Sequence, residues 1–249
     1  MNHIKVEVCV DNIESVKNAV NAGADRIELC SSLQLGGITP TAGLIRFAVR
    51  NAPIPVYAMI RPRSGDFLFS NDEVALVNDE IQFLHDMGVD GIVIGALMQD
   101  ATINLQAVRQ WVGSAKGMEV TFHRAFDWVE DPSSSLEQLI DLGCHRVLTS
   151  GLQATAVAGI ACLHNLVQQA GNRIIVMPGC GVNPANARQI IESTGATEIH
   201  LSGKKSRPSQ MKRVCAAVMG KDSAHDHAID VADEPTIRAV IERLAIDRL

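Results

Sequence analysis

The chain of 249 residues predicts a single (β/α)8 barrel of the TIM type, an α/β fold. Three observations predict it. The length matches the roughly 250 residues of one such domain, enough to bury a large core. A local pattern of glycine, two or three residues and a β-branched run returns four times. Four more strand candidates fall between these repeats, so eight strands alternate with helical segments, as parallel βα units require.

The elements follow in order. The first strand is Ile4–Val10, and Asp11-Asn-Ile-Glu14 reads as the capping box of the first helix. Gly23-Ala-Asp-Arg-Ile-Glu-Leu-Cys30 is the first of the repeats: its glycine closes a helix in a left-handed C-cap, and its run is a buried strand. Thr39-Pro40 offers a cap with proline at the first helical position. Pro55–Arg61 is the third strand, followed by a capping box at Ser70-Asn-Asp-Glu73. Gly88–Gly95 supplies the fourth strand and Met118–His123 the fifth, before a cap at Asp131-Pro132. Gly143–Ser150, Arg173–Met177 and Gly195–Ser202 complete the eight, with Asn183-Pro184 opening the seventh helix. Residues 204–232 read as a long irregular connection, after which Asp233 caps a closing helix running towards Leu249. No linker divides the chain, so residues 1–249 form one domain. No G-x-G-x-x-G follows the first strand, which disfavours a doubly wound sheet and leaves no nucleotide cofactor expected.

Composition excludes several functions. A net charge of −6 argues against broad contact with nucleic-acid or membrane phosphates. No signal peptide opens the chain, and no apolar run approaches the roughly 20 residues of a membrane span. The six cysteines, at 9, 30, 144, 162, 180 and 215, form no C-x-x-C pair. Free thiols in a reducing, cytoplasmic compartment are the expectation.

Strand alternation assigns side chains to faces. In strand 1, Glu7 and Cys9 oppose Val6, Val8 and Val10; in strand 2, Glu28 and Cys30 oppose Ile27 and Leu29. The aliphatic set belongs under the outer helices, so the Glu/Cys pairs point inward. Both cysteines then sit near the C-terminal mouth, where such barrels place chemistry. Thr121 and His123, and His200 and Ser202, share that inward phase. The loops add Arg61, Arg63 and Asp66 after strand 3, and Arg124 and Asp127 after strand 5. So many polar groups at one end cost free energy unless they serve a site.

Three chemistries fit. Two thiolates on neighbouring strands, Cys9 and Cys30, could bind Cu(I), which prefers cysteine sulfur; His225-Asp-His227 is a weaker metal candidate. A small anion could be held by Gly179, Gly181, Ser202 and Gly203, in the turns after strands 7 and 8, together with Arg61, Arg63, Asp66 and Arg124. Acid–base catalysis could use Glu7 and Glu28, whose mutual repulsion separates their pKa values, with His123 as proton shuttle and Asp127 beside it. No G-x-S-x-G elbow is present, so acyl chemistry is disfavoured.

At these residues the chain resembles the CutC family over nearly its whole length. The matching segments are Glu7-Val-Cys-Val, Gly23-Ala-Asp-Arg-Ile-Glu-Leu-Cys30, Gly36-Gly-Ile-Thr-Pro40, Ile60-Arg-Pro-Arg-Ser-Gly-Asp-Phe67, Val120-Thr-Phe-His-Arg-Ala-Phe-Asp127 and Arg146-Val-Leu-Thr-Ser-Gly151. Ser64 and Cys180 stand where glycine is expected, and Gly203-Lys-Lys-Ser-Arg207 replaces a small-residue run. The resemblance implies a (β/α)8 barrel linked to copper homeostasis, with Cu(I) at Cys9 and Cys30. It also implies a cytoplasmic protein that self-associates as a homodimer or larger homo-oligomer. An enzyme acting on a small anionic substrate is the alternative, because a metal buffer has no need of the arginines and glutamates.

Overall fold

The computed structural model describes residues 3–212, 217–218 and 226–245. Eight short parallel strands, β1 (Lys5–Val10), β2 (Arg26–Leu29), β3 (Val56–Met59), β4 (Gly91–Ile94), β5 (Glu119–Phe122), β6 (Arg146–Thr149), β7 (Ile175–Pro178) and β8 (Glu198–Leu201), pair in the order β7-β6-β5-β4-β3-β2-β1-β8. Every neighbour but one is consecutive in sequence, and β8 returns to β1, so the sheet rolls into a barrel with its seam between β7 and β8. Helices follow the strands: α1 (Ile13–Ala22), α2 (Ala42–Asn51), α3 (Asn71–Met87), α4 (Leu105–Ser114), α5 (Pro132–Asp141), α6 (Ile160–Ala170), α7 (Ala187–Thr194) and α8 (Glu234–Ala245). No described helix is long and apolar enough to cross a membrane.

Helix ends follow side-chain chemistry. Ser70 and Glu73 close the expected capping box, Asp131 caps α5 ahead of Pro132, and Asp233 accepts from the Thr236 N–H at 3.1 Å. Three starts lie later than the sequence suggests. Asn12, not Asp11, caps α1, because the Asp11 carboxylate instead takes the Leu33 N–H at 3.1 Å. Thr41, not Thr39, caps α2, because the Thr39 hydroxyl bridges the Arg61 backbone and Glu80. Asn186, not Asn183, precedes α7, since Asn183 closes a turn onto Ala185 N. In the first two cases a side chain that could cap a helix ties down a loop at the mouth.

The stretch 204–232 is more regular than its sequence suggests. Its ends form an antiparallel ribbon, β9 (Lys204–Pro208) with β10 (Ala228–Ala232). The ribbon holds because α1 satisfies its free edge: Asn12 and Asn18 donate to the carbonyls of Asp230 and Ala232, and Ser15 accepts from Ala232 N. Of the possible metal pair at 225 and 227, His225 lies outside the described residues.

The outward faces of the strands (Val6, Val8, Val10, Ile27, Leu29) are fully buried under the helices, as alternation requires. The inner face is ionic at its N-terminal end. Arg26 pairs with Glu7 and, at 2.6 Å, with Glu198; Arg146 pairs with Glu198 at 2.6 Å and reaches Glu119 at 3.2 Å. Tyr57 lies between the two guanidiniums, at 4.7 and 5.4 Å, and its hydroxyl donates to Glu119. Gly91 makes room for that ring, since a Cβ there would sit 2.8 Å from it. Arg26, Arg146, Glu7 and Glu198 are out of water and mutually satisfied, so removing one of them strands its partners, while Glu119 is partly exposed. Glu198→Gln should lower stability by about 3–5 kcal/mol in urea unfolding; a loss below about 1 kcal/mol, the size of an exposed pair, would show that the network is solvated.

Candidate active site

The floor network leads directly to the mouth. Glu7 places one carboxylate oxygen on Arg26 and the other on His200 Nδ1, at 2.7 Å. His200 Nε2 lies 3.4 Å from Glu28, so the imidazole sits between two carboxylates from β1 and β2. The register accounts for this: Glu7 is level with Arg26 and His200, and Cys9 with Glu28. Above them opens a cavity of about 320 Å³. Glu28, Cys9, Cys30, His200, Arg61 and His123 all face it, with Cys180–Val182 and Ser202 on the far side.

Charge is unevenly set within this group. Burial alone would raise Glu7, but Arg26 and the His200 hydrogen bond outweigh it and hold the carboxyl well below its usual range. Burial drives Glu28 up to about 7, reinforced by negative Glu7 and opposed by His200. Burial works against a charged His200, but Cys9, Glu28 and Glu7 surround it and keep it an imidazolium. The two thiols are raised, Cys9 chiefly by burial and Cys30 by burial and then Glu28. Glu7 and Glu28 thus part, one ionised and one carrying a proton near neutrality, and burial contributes more to this than their mutual repulsion.

His123 reaches the cavity from just past β5 because Gly95, just past β4, has no side chain; a Cβ there would lie 2.4 Å from the ring. Its Nδ1 accepts from Ala125 N at 3.1 Å, and burial, then Arg61, lowers its pKa to about 3. The ring is therefore neutral and its one proton is on Nε2. That atom is buried without a partner, as are Glu28 Oε1 and Arg61 Nε.

Arg61 is a buried cation held by carbonyls, with Asp66 offsetting part of its burial. The residue is 5% exposed, and its guanidinium stacks 4.9 Å from the Phe67 ring and donates to the carbonyls of Leu35, Gly37 and Gly65. No carboxylate among the described residues pairs with it. Gly36 belongs here because the Arg61 guanidinium packs 3.0 Å from where a Cβ would stand.

The other sequence candidates take supporting positions. Arg63 points away from the cavity to Glu73 and Asp66, stacked on Phe69. Asp127 is spent on the turn after β6, accepting from Thr149, from Ser150 and from the Leu152 N–H, and pairing with Arg124. Arg124 keeps an edge on the cavity. Gly179 packs against Leu148 and His200, and Gly203 against Ile237, so both serve close approach. Cys9 and Cys30 share the cavity, yet the described donors that lie together, within 4.8 Å, are Cys9, Glu28 and His200. The sequence reading passed over Arg26, Arg146, Glu198, Glu119 and Tyr57. Arg26, Glu119 and Glu198 each lie two residues before an inward position already assigned, so alternation carried one step further would have placed these three in the barrel; no inward position had been assigned on β3 or β6, which carry Tyr57 and Arg146.

A family model described as the CutC family matches residues 4–205. The chain belongs to the CutC family. Relatives named family protein CutC include one from Pasteurella multocida, 54% identical over 95% of this chain and 97% of the relative, and one from Glaesserella parasuis, 48% identical over 98% and 100%. A crystal structure of CutC from Streptococcus agalactiae, named for copper homeostasis, superposes with a TM-score of 0.76 at 32% identity, over 80% of this chain and 98% of that one. Phosphoribosylanthranilate isomerase from Pyrococcus furiosus, at 14% identity and a TM-score of 0.57 over 98% and 100%, shares the barrel fold.

For this CutC-family site the raised Glu28 gives a signed expectation. A folded carboxyl that keeps its proton up to about pH 7, while the unfolded one loses it near 4.5, favours the fold at low pH. That contribution falls away as pH rises from about 4.5 to about 7 and is flat above. The stability difference between wild type and Glu28→Gln should therefore change over that window. A protonated-carboxyl infrared band absent from Glu28→Gln should titrate in the same range. A band already lost by pH 5 would place Glu28 among ordinary carboxylates.

Proposed function

We propose that this CutC-family barrel is an enzyme that moves a proton on a small anionic substrate held at its mouth. One observation carries the reading: a carboxyl oxygen, an imidazole N–H and a guanidinium N–H, all buried and all without partners, belong to three residues that line one cavity. A buried polar atom left unpaired costs free energy, and three together are best explained by a ligand that completes them. Their chemistry is complementary. Arg61 has donor capacity left for a carboxylate or phosphate. Glu28, near half-protonation at neutral pH, can take or give a proton. His123, neutral and with its proton on Nε2, donates to an oxygen that gains negative charge without itself becoming acidic. Glu7 and His200 hold Glu28 in place and tune its charge.

Copper handling is the second reading, favoured by the name of the Streptococcus agalactiae structure and by Cys9, Glu28 and His200 meeting within 4.8 Å. Thiol and imidazole suit Cu(I), whereas a carboxylate is a hard donor for so soft an ion. At neutral pH both thiols are protonated and His200 is an imidazolium, so Cu(I) would have to displace protons at each donor.

Incubation with small carboxylates, hydroxy acids and sugar phosphates in D2O, followed by proton NMR, tests the enzyme. At least one compound that stabilises the protein should exchange a carbon-bound hydrogen. Glu28→Gln should slow that exchange by about 10²-fold or more, and Cys30→Ala should leave it nearly intact. Exchange indifferent to Glu28→Gln would sink the reading. Stoichiometric Cu(I) uptake against a competing chelator, lost in a Cys9→Ser/Cys30→Ser double variant, would make copper the better account.

A further inference from the structure

Arg61 and the β7–β8 turns face the same cavity from opposite sides. The strand order puts β3 and β7 four steps apart in either direction round the ring, which is diametrically opposed. On the β3 side, Arg61 Nη1 donates to two carbonyls and Nη2 to one. Its Nε–H and one Nη2 hydrogen are left from a guanidinium's five donors. On the β7 side, Cys180 and Gly181 are consecutive residues with positive φ, 80° and 73°. Irregular backbone in the loops after strands 7 and 8 is where barrels of this fold often hold a phosphate on N–H groups. Among the described residues nothing accepts from the N–H groups of Cys180, Gly181, Val182 or Ser202, and all four residues line the cavity. The seam between β7 and β8, where no ladder forms, is what leaves these donors unused. Cys180 holds a conformation that costs a non-glycine residue free energy, and its thiol is tied to Ala154 O at 3.2 Å.

We propose that the natural ligand carries two anionic groups on a short carbon skeleton, a carboxylate against Arg61 and a phosphate-like group on the 180–182 and 202 N–H groups. This rests on the mouth being the working site. Between the two poles lie Glu28 on the floor and His123 on the wall, so the reactive carbon is the one between the charged ends. A guanidinium fork suits the planar group, and a ring of backbone N–H groups suits the tetrahedral one. A cavity of about 320 Å³ in an eight-stranded barrel holds one small molecule of this kind.

Calorimetric titration of the full chain with three probes, inorganic phosphate, propionate and 3-phosphoglycerate, tests the two poles. The doubly charged probe should bind about tenfold or more tighter than either single one, each pole adding charge-assisted hydrogen bonds. Gly181→Asp puts a carboxylate among these N–H groups and should weaken phosphate about tenfold or more, whereas neutral Gly181→Asn, equally strained, should hold it within about threefold. Arg61→Gln should bring 3-phosphoglycerate down to the affinity of phosphate and leave phosphate itself unchanged. Phosphate loss shared equally by Gly181→Asp and Gly181→Asn, or a doubly charged probe no better than phosphate, overturns the proposal. If single anions bind at Arg61 alone while hydrogen exchange still depends on Glu28, the two-pole ligand is wrong and the proton-transfer enzyme stands.

Discussion

Glu7 joins two halves of the barrel that have opposite requirements. Below it, Arg26, Glu198 and Arg146 are sealed from water and must be fully paired, because a stranded charge there has no solvent to turn to. Above it, Glu28, His123 and Arg61 keep atoms unpaired. One oxygen of Glu7 completes the floor and the other holds His200, so the charge state of the site is referred to a fixed anion buried beneath it. Without that anchor His200 would lose its 2.7 Å partner, and Glu28 would lose the like charge that raises it. The strand register makes this possible. Glu7, Arg26 and His200 are level on three consecutive strands of the ring, and no loop is needed to bring them together.

The fold was legible because it is written in local signals. Glycine C-caps, β-branched runs and an aliphatic face repeat at each βα unit, and none of them depends on distant contacts. Helix starts were less legible where Asp11 and Thr39 were taken from capping by loops of the mouth. That competition is settled only when the barrel closes. The inward phase of Glu7, Cys9, Glu28, Thr121, His123 and His200 followed from period-two alternation alone. What alternation could not supply was rotation about the side-chain bonds. Arg63 and Asp127 lie on the correct rim, yet their head groups turn into loops, while Arg61, two residues from Arg63, turns into the cavity.

The gap between reading a residue type and reading its job is clearest for the cysteines. Cys9 and Cys30 look like a pair because both end inward strands, but the register sets Cys9 opposite Glu28, with Cys30 one pleat further towards the mouth. Cys30 then packs with Tyr57, Met59 and Val93, an apolar lining on one side of an otherwise polar interior. A thiol in such surroundings behaves as a small hydrophobe. Cys9, beside His200, is the more polar of the two environments.

Charge accounting within the cavity gives the last step. His200 is an imidazolium between Glu7 and Glu28, and the protonation of Glu28 near neutrality leaves Glu7 as its ionised partner. That group is balanced without help. Arg61 is not: its positive charge is buried among carbonyls, with Arg63 nearby lowering its pKa further after burial itself. A metal ion beside Cys9 would displace the thiol and imidazolium protons there and leave Arg61 as it is. Adding an anion at Arg61 neutralises it, restores the missing acceptor and, by bringing a negative group towards Glu28, favours the protonated carboxyl. The unpaired N–H groups of His123 and Arg61 are both completed by an acceptor.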